Sequence, residues 1–278
     1  MKGNNAHQRW LILGASNVRR SLIPLIEQIL CVSKRPADIL FACGHGRSYC
    51  RPNRVLGWSL PGLSESGWRE AWRHDDQEVS SRSVILTDVG NDLLYGIEPD
   101  ELLSHVELCL DALHPSDRIM LMGLPLDRLE QVRSIEYQIF KKIFFPGSTI
   151  AFETAMRSAR EVQHGLEALC RARQNRWLIP PSSWYGIDPI HIRRSLQRKA
   201  WRTVLQQLDA SGEIASSSSA IELTETAGPM LQQSPAWRLL HSLRLIFSRA
   251  QRQSWLGWTR DQCQPSLHLE DGSTVSLY

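Results

Sequence analysis

The chain lacks any run of the roughly 18 consecutive apolar residues that a membrane-spanning helix needs, so no segment reads as a transmembrane span. Its amino terminus, MKGNNAHQRWLILGAS, lacks the longer apolar core and small-residue cleavage site of a secretory signal. The expectation is a cytoplasmic protein. Cysteine signatures are missing too. Cys31, Cys43, Cys50, Cys109, Cys170 and Cys263 form no Cys-x-x-Cys pair and show no Cys/His ligand spacing, so no metal site is expected and the thiols read as reduced and partly buried. Strong charge of one sign is absent: +3 over 278 residues is too little to mark a nucleic-acid partner. No internal repeat is visible, and the ten tryptophans form no stacking array.

What is present is enough apolar sequence, 42%, to bury a sizeable core. Over the first 210 residues two periodicities alternate. Short apolar runs occur at Trp10–Leu13, Ile39–Ala42, Val84–Val89, Ile119–Met122 and Trp177–Ile179. Each is too short for a helix and is bounded by Gly, Pro or polar residues, as strands buried on both faces are. Between them lie helical patterns, the clearest from about Ile150 to Arg173, where Met156, Ala159, Val162, Leu166 and Leu169 recur at steps of three and four. A second starts near Pro99 and carries Leu102, Leu103, Val106 and Leu110. Such alternation implies an α/β fold with a parallel sheet covered by helices on both faces. Ligands of such sheets bind beyond the carboxyl ends of the strands.

Those ends carry chemistry. The first strand runs into Gly14-Ala15-Ser16-Asn17, the second into Gly44-His45-Gly46, and the third, in LTDVGNDLLYG, into Gly90-Asn91-Asp92. Beyond the fifth lies SSWYGIDPIHIRR, with Asp188 and His191 three residues apart. A serine hydroxyl is a weak nucleophile and needs a base, for which histidine is suited near neutral pH. The histidine needs an acceptor on its other nitrogen, which Asp188 can supply. A tetrahedral intermediate needs donors where its oxyanion develops, and a Gly N–H, the Asn91 amide and the Ser16 N–H are of that kind. The combination points to acyl transfer.

Over roughly residues 9 to 205 the sequence resembles the SGNH (GDSL-like) hydrolases, with their Ser, Gly, Asn and His blocks in order. The resemblance implies a flavodoxin-like three-layer α/β/α fold and esterase or lipase-type hydrolysis with no metal or organic cofactor. It matches Ser16 to the nucleophile, Asp188 and His191 to its partners, and Asn91 to an oxyanion donor. Gly46 best matches the second-block glycine, with Gly44 the other choice. Three departures stand out: Gly-Ala-Ser-Asn replaces Gly-Asp-Ser-Leu, Val89 stands where Gly is usual before Gly90-Asn91-Asp92, and Ile192 replaces a frequent Pro. The expected substrate is a small-molecule, glycan or lipid ester. The alternatives are an acyltransferase using the same site and a non-catalytic scaffold.

Single residues also admit plainer readings. Ser16 could cap the helix after the first strand, and Asn91 or Asp92 could stabilise a turn. Arg19, Arg20 and Arg47 read as solvated or paired with acids, with an anionic substrate group as the other choice. Asn17, His45 and Arg47 are carried as substrate-binding candidates.

The expected organisation is a hydrolase domain over 1–210, a Ser-rich linker or surface loop over 211–235, and an extension over 236–278. The extension combines an amphipathic helix from Ala236 to about Gln253 with a hairpin around Asp271-Gly272. The hairpin is expected to pair Leu269 with Val275 and Leu267 with Leu277. Its apolar face and that of the helix should be buried on the 1–210 domain or on a second copy of the chain. The helix's Arg-rich face, with Trp237, Trp255 and Trp258, also permits contact with a membrane surface.

Overall fold

Each of the five apolar runs forms a strand, because each alternates between two helical layers. The computed structural model describes residues 7–33, 36–55, 58–73, 79–209, 250–255 and 258–278. Its strands are β1 (His7–Leu13), β2 (Ala37–Ala42), β3 (Asn53–Val55), β4 (Trp58–Leu60), β5 (Val79–Leu86), β6 (Arg118–Met122), β7 (Arg176–Leu178), β8 (Arg252–Trp255), β9 (Trp258–Asp261), β10 (Leu267–His268) and β11 (Thr274–Leu277). Its α-helices are α1 (Ser16–Arg20), α2 (Leu22–Val32), α3 (Trp68–Arg73), α4 (Asn91–Leu94), α5 (Pro99–Asp111), α6 (Leu126–Leu129), α7 (Ser134–Phe144), α8 (Phe152–Ala172) and α9 (Gln197–Asp209).

The main sheet has the order β10-β11-β2-β1-β5-β6-β7. Every pairing from β11 to β7 is parallel; only β10 runs antiparallel. Without the hairpin the order is the 2-1-3-4-5 of the flavodoxin-like arrangement. On one face Trp10, Ile12, Ile39 and Phe41 pack against α2 and α9, through Leu25, Ile29, Trp201 and Val204. On the other, Leu11, Leu13, Val84 and Leu86 pack against α3, α5 and α8, through Trp68, Trp72, Val106 and Leu166. The fold is thus a three-layer α/β/α sandwich. Among the described residues no helix is long and apolar enough to cross a membrane.

The C-terminal hairpin forms, but in a different register. Leu267 pairs with Val275 rather than Leu277, and the Leu269 N–H donates to Ser273 O at 2.8 Å. A tight turn accounts for the shift of two residues. Gly272 sits at φ +85°, and the Asp271 carboxylate accepts the Ser273 N–H and hydroxyl at 2.9 and 3.0 Å. A shift of two keeps each side chain on its expected face. Leu267, Leu269, Val275 and Leu277 are therefore all buried in the core of residues 7–209. Because β11 pairs with β2, the hairpin continues the main sheet.

The expected helix over 236–253 lies outside the described residues as far as 249, as does the linker over 211–235. Where the chain is described again, Arg252–Trp255 is strand and not helix. It joins a four-stranded antiparallel sheet, β3-β4-β8-β9. Gln253 is buried and its neighbours are not, the period-two pattern of a one-sided strand, hidden in the sequence by a polar inward residue.

Candidate active site

The turn after β1 is close-packed. A Cβ on Gly14 would stand 2.5 Å from Val18 and 2.8 Å from Thr87, so only glycine lets β1 turn this sharply into α1. Ser16 begins that helix without capping it. The leading amides are taken by Asp88, at φ +59° just after β5. Its Oδ2 accepts the N–H groups of Ala15 and Asn17 at 2.8 and 3.0 Å. The Ser16 hydroxyl is therefore available for other work. Sequence reading gave Asp88 no role; its one signal was an acid two residues beyond the buried end of β5.

The hydroxyl lies 2.9 Å from His191 Nε2, and His191 Nδ1 lies 2.7 Å from Asp188 Oδ2. A carboxylate can only accept, so Nδ1 carries the proton and Nε2 is left as the acceptor for Ser16. Asp188 Oδ1 also accepts the Ile190 and His191 amides at 3.1 and 3.2 Å. Burial works to raise the Asp188 carboxyl, but the bonds from the His191 ring and these amides outweigh it and hold the group below the ordinary carboxylate range. Arg20 stands 3.7 Å from the same oxygen that meets the histidine, so its charge faces the aspartate. Phe144, the last residue of α7, meets the His191 ring edge-on at 5.1 Å.

Asn91 opens α4 and lines the same cavity as Ser16. Its Nδ2 makes only a long contact, 3.5 Å, to Arg47 O. Beneath it, fully buried Asp92 organises the second-block loop, accepting the Ser48 hydroxyl and the Tyr49 and Cys50 amides, the latter two at 3.0 and 3.2 Å. Burial pushes its carboxyl up against the pull of those bonds. In that loop Gly46 sits at φ +60°. Its carbonyl accepts Asn53 Nδ2 and Tyr95 Oη, both at 2.6 Å. Gly46 and His45 lie beside the cavity and are not among the residues that line it. His45 is held below the usual histidine range by burial and by the charges of Arg19, His191 and Arg20.

Two substrate-binding candidates have other tasks. Asn17 lines the cavity beside Ser16, and its side chain is bonded within the protein at both ends. Nδ2 donates to Asp88 Oδ1 at 2.8 Å and Ile190 O at 2.9 Å, and Oδ1 accepts the Ile192 N–H at 2.8 Å. It ties the serine turn to the histidine loop, 173 residues apart in sequence. Arg47 is completely buried. Its guanidinium donates to Pro61 O at 3.2 Å, Cys43 O at 3.4 Å and the main-chain oxygen of Tyr278. It joins the second-block loop to the end of β11, and no part of it reaches solvent. Burial lowers its pKa to about 10.

Behind Ser16 and Asn91 opens a cavity of about 140 Å³, walled by Leu94, Leu124, Phe140, Phe144, Phe152 and Met156 among others. All six cysteines are free thiols; burial pushes Cys43 up to about 11 and Cys109 up to about 12, which leaves them poor nucleophiles. Among the described residues no group of three or more His, Cys, Asp or Glu side chains could hold a metal ion. A comparison with known protein families and with curated proteins finds no match to the chain.

Proposed function

We propose that this protein is a serine hydrolase of the SGNH type that cleaves carboxylic esters through an acyl-enzyme. The observation that carries the reading is the continuous chain from Ser16 Oγ through His191 to Asp188, with links of 2.9 and 2.7 Å, at the mouth of an apolar cavity. As Oγ attacks the ester carbonyl, His191 Nε2 takes its proton, and Asp188 stabilises the imidazolium. The carbonyl oxygen becomes an oxyanion facing the Asn91 amide, with the Ser16 and Gly46 N–H groups as further donors. Collapse breaks the bond to the alcohol oxygen, which leaves with the proton from His191. Water, deprotonated by the same nitrogen, then attacks the acyl-enzyme and releases the acid. Every proton is accounted for by His191, so no metal or cofactor is required. The free cysteines suit a reducing compartment, and we assign the protein to the cytoplasm.

The test is labelling with a fluorophosphonate, followed by peptide mapping, alongside hydrolysis of p-nitrophenyl esters. Modification of Ser16, lost in Ser16→Ala together with turnover, is the expected result. A folded protein whose Ser16 does not react is a non-catalytic scaffold, and the proposal falls.

A further inference from the structure

The cavity defines which half of the ester it receives. Ser16 and Asn91 line it; Pro189 and Ile190 of the histidine loop form one edge, and the rest of the wall extends along α7 and α8, through Phe140, Phe152 and Met156 among others. The leaving oxygen has to collect its proton from His191 Nε2 and must therefore lie on the histidine's side. The carbonyl carbon is held between Ser16 Oγ and the Asn91 amide, so the substituent that runs away from the histidine loop, towards the α7 and α8 walls, is the acyl chain. The walls are mostly apolar. Tyr137 Oη and Lys141 Nζ, from α7, both donate to Ile150 O at 2.9 Å, which draws both polar tips towards the segment between α7 and α8. On the α8 side, Ala155 and Ala159 leave room that larger side chains would fill.

We propose that the cavity is the acyl pocket and that it selects esters of medium-length alkyl or aryl acids, with about six carbons beyond the reach of water. This rests on the serine-hydrolase reading. The size follows from a physical yardstick: an apolar protein cavity of about 150 Å³ holds one benzene molecule, and this one measures about 140 Å³. Acetyl groups leave it unfilled and gain nothing from its walls. Longer chains place their extra carbons outside and gain nothing more. A sugar would lose more hydrogen bonds to water than the few polar wall groups can replace.

The experiment measures kcat/KM of the full chain on p-nitrophenyl esters from acetyl to dodecanoyl. Each buried methylene favours binding by about fourfold, so hexanoyl should exceed acetyl by on the order of 100-fold, with no further rise beyond about eight carbons. Ala155→Phe should bring the hexanoyl/acetyl ratio towards one. Phe140→Ala, on a helix with no buried residue, should move the plateau to longer chains. Highest turnover on acetyl, or a ratio that neither variant moves while melting curves show both folded, overturns the acyl-pocket assignment. Labelling of Ser16 by a fluorophosphonate separates the two failures. If Ser16 reacts and chain length does not matter, only the pocket assignment falls. If Ser16 is inert, the hydrolase reading falls first and takes the pocket with it.

Discussion

The two sides of the cavity are built on opposite principles. On the sheet side, Asp88, Asn17 and Asp92 each bind two or three partners from distant parts of the chain, and Asp92 is fully buried. Removing any one leaves buried partners without a hydrogen bond, at about 1–3 kcal/mol each. On the opposite side, α7 contributes Tyr137, Phe140 and Phe144 to the wall but has no buried residue. It is attached through Ile150 O, through ring contacts such as Tyr137 with Phe152 at 5.2 Å, and through Phe144 against His191. The edge where the proposed reaction needs a fixed geometry has an over-determined polar network, and the wall proposed to receive a substrate chain is mostly apolar and lightly held. Reacting atoms need placement to within a fraction of an ångström, whereas hydrophobic contact is non-directional.

The largest effects should come from the reacting atoms. Ser16→Ala or His191→Ala should each lower kcat by on the order of 10⁴-fold or more, with a near-normal melting temperature, because loss of one member disables the unit. Ser16→Ala protein that retains most of its turnover would place the nucleophile elsewhere. Next comes Asn91→Ala, expected to lower kcat about 100- to 1000-fold with KM little changed, since the oxyanion exists only in the transition state. A raised KM with intact kcat would make Asn91 a substrate-binding residue instead.

The legible parts of this structure were those whose periodicity or chemistry is local. Five strands and the long helix α8 could be read from spacing, because both faces of the sheet are apolar and α8 has one clean stripe. Ser16, Asn91, Asp188 and His191 could be proposed because each follows a strand. What stayed hidden depends on contacts between distant residues. Nothing in the local sequence says that Asp88 accepts the amides of residues 71 and 73 positions earlier, or that Asn17 binds the loop carrying His191. Arg47 read as solvated or paired with an acid, because its actual partners are main-chain carbonyls, which leave no mark in the sequence. The second sheet escaped notice because β8 buries a glutamine.

The comparison is sharpened by Asn17→Ala, which should act on geometry alone. Ile190 O and the Ile192 N–H would lose their partner, loosening the loop that carries His191. The expected result is a fall in kcat of about 10- to 100-fold, as misplacement of a catalytic group causes, and a melting temperature lower by several degrees. KM should stay nearly constant for esters of different alcohols. A KM that rises selectively for one alcohol would mean that Asn17 touches substrate after all, and would return it to the role that sequence reading gave it.

The smallest effect is expected on the outer face of α7. Ile135, Ile139 and Ile143 recur every fourth residue and are 68%, 54% and 63% exposed, on the side of the helix away from Tyr137, Phe140 and Phe144. A substitution at such a position removes few packed contacts, and surface changes of this kind usually stay within about 0.5 kcal/mol. Lysine also has a good helix propensity, slightly better than isoleucine's. Ile139→Lys should therefore leave the melting temperature within about 2 °C of the parent and kcat/KM on a soluble hexanoyl ester within about twofold. If it lowers the melting temperature as far as Asn17→Ala does, α7 is held much more firmly than its contacts indicate, and the contrast between a fixed catalytic edge and a lightly attached wall would have to be abandoned.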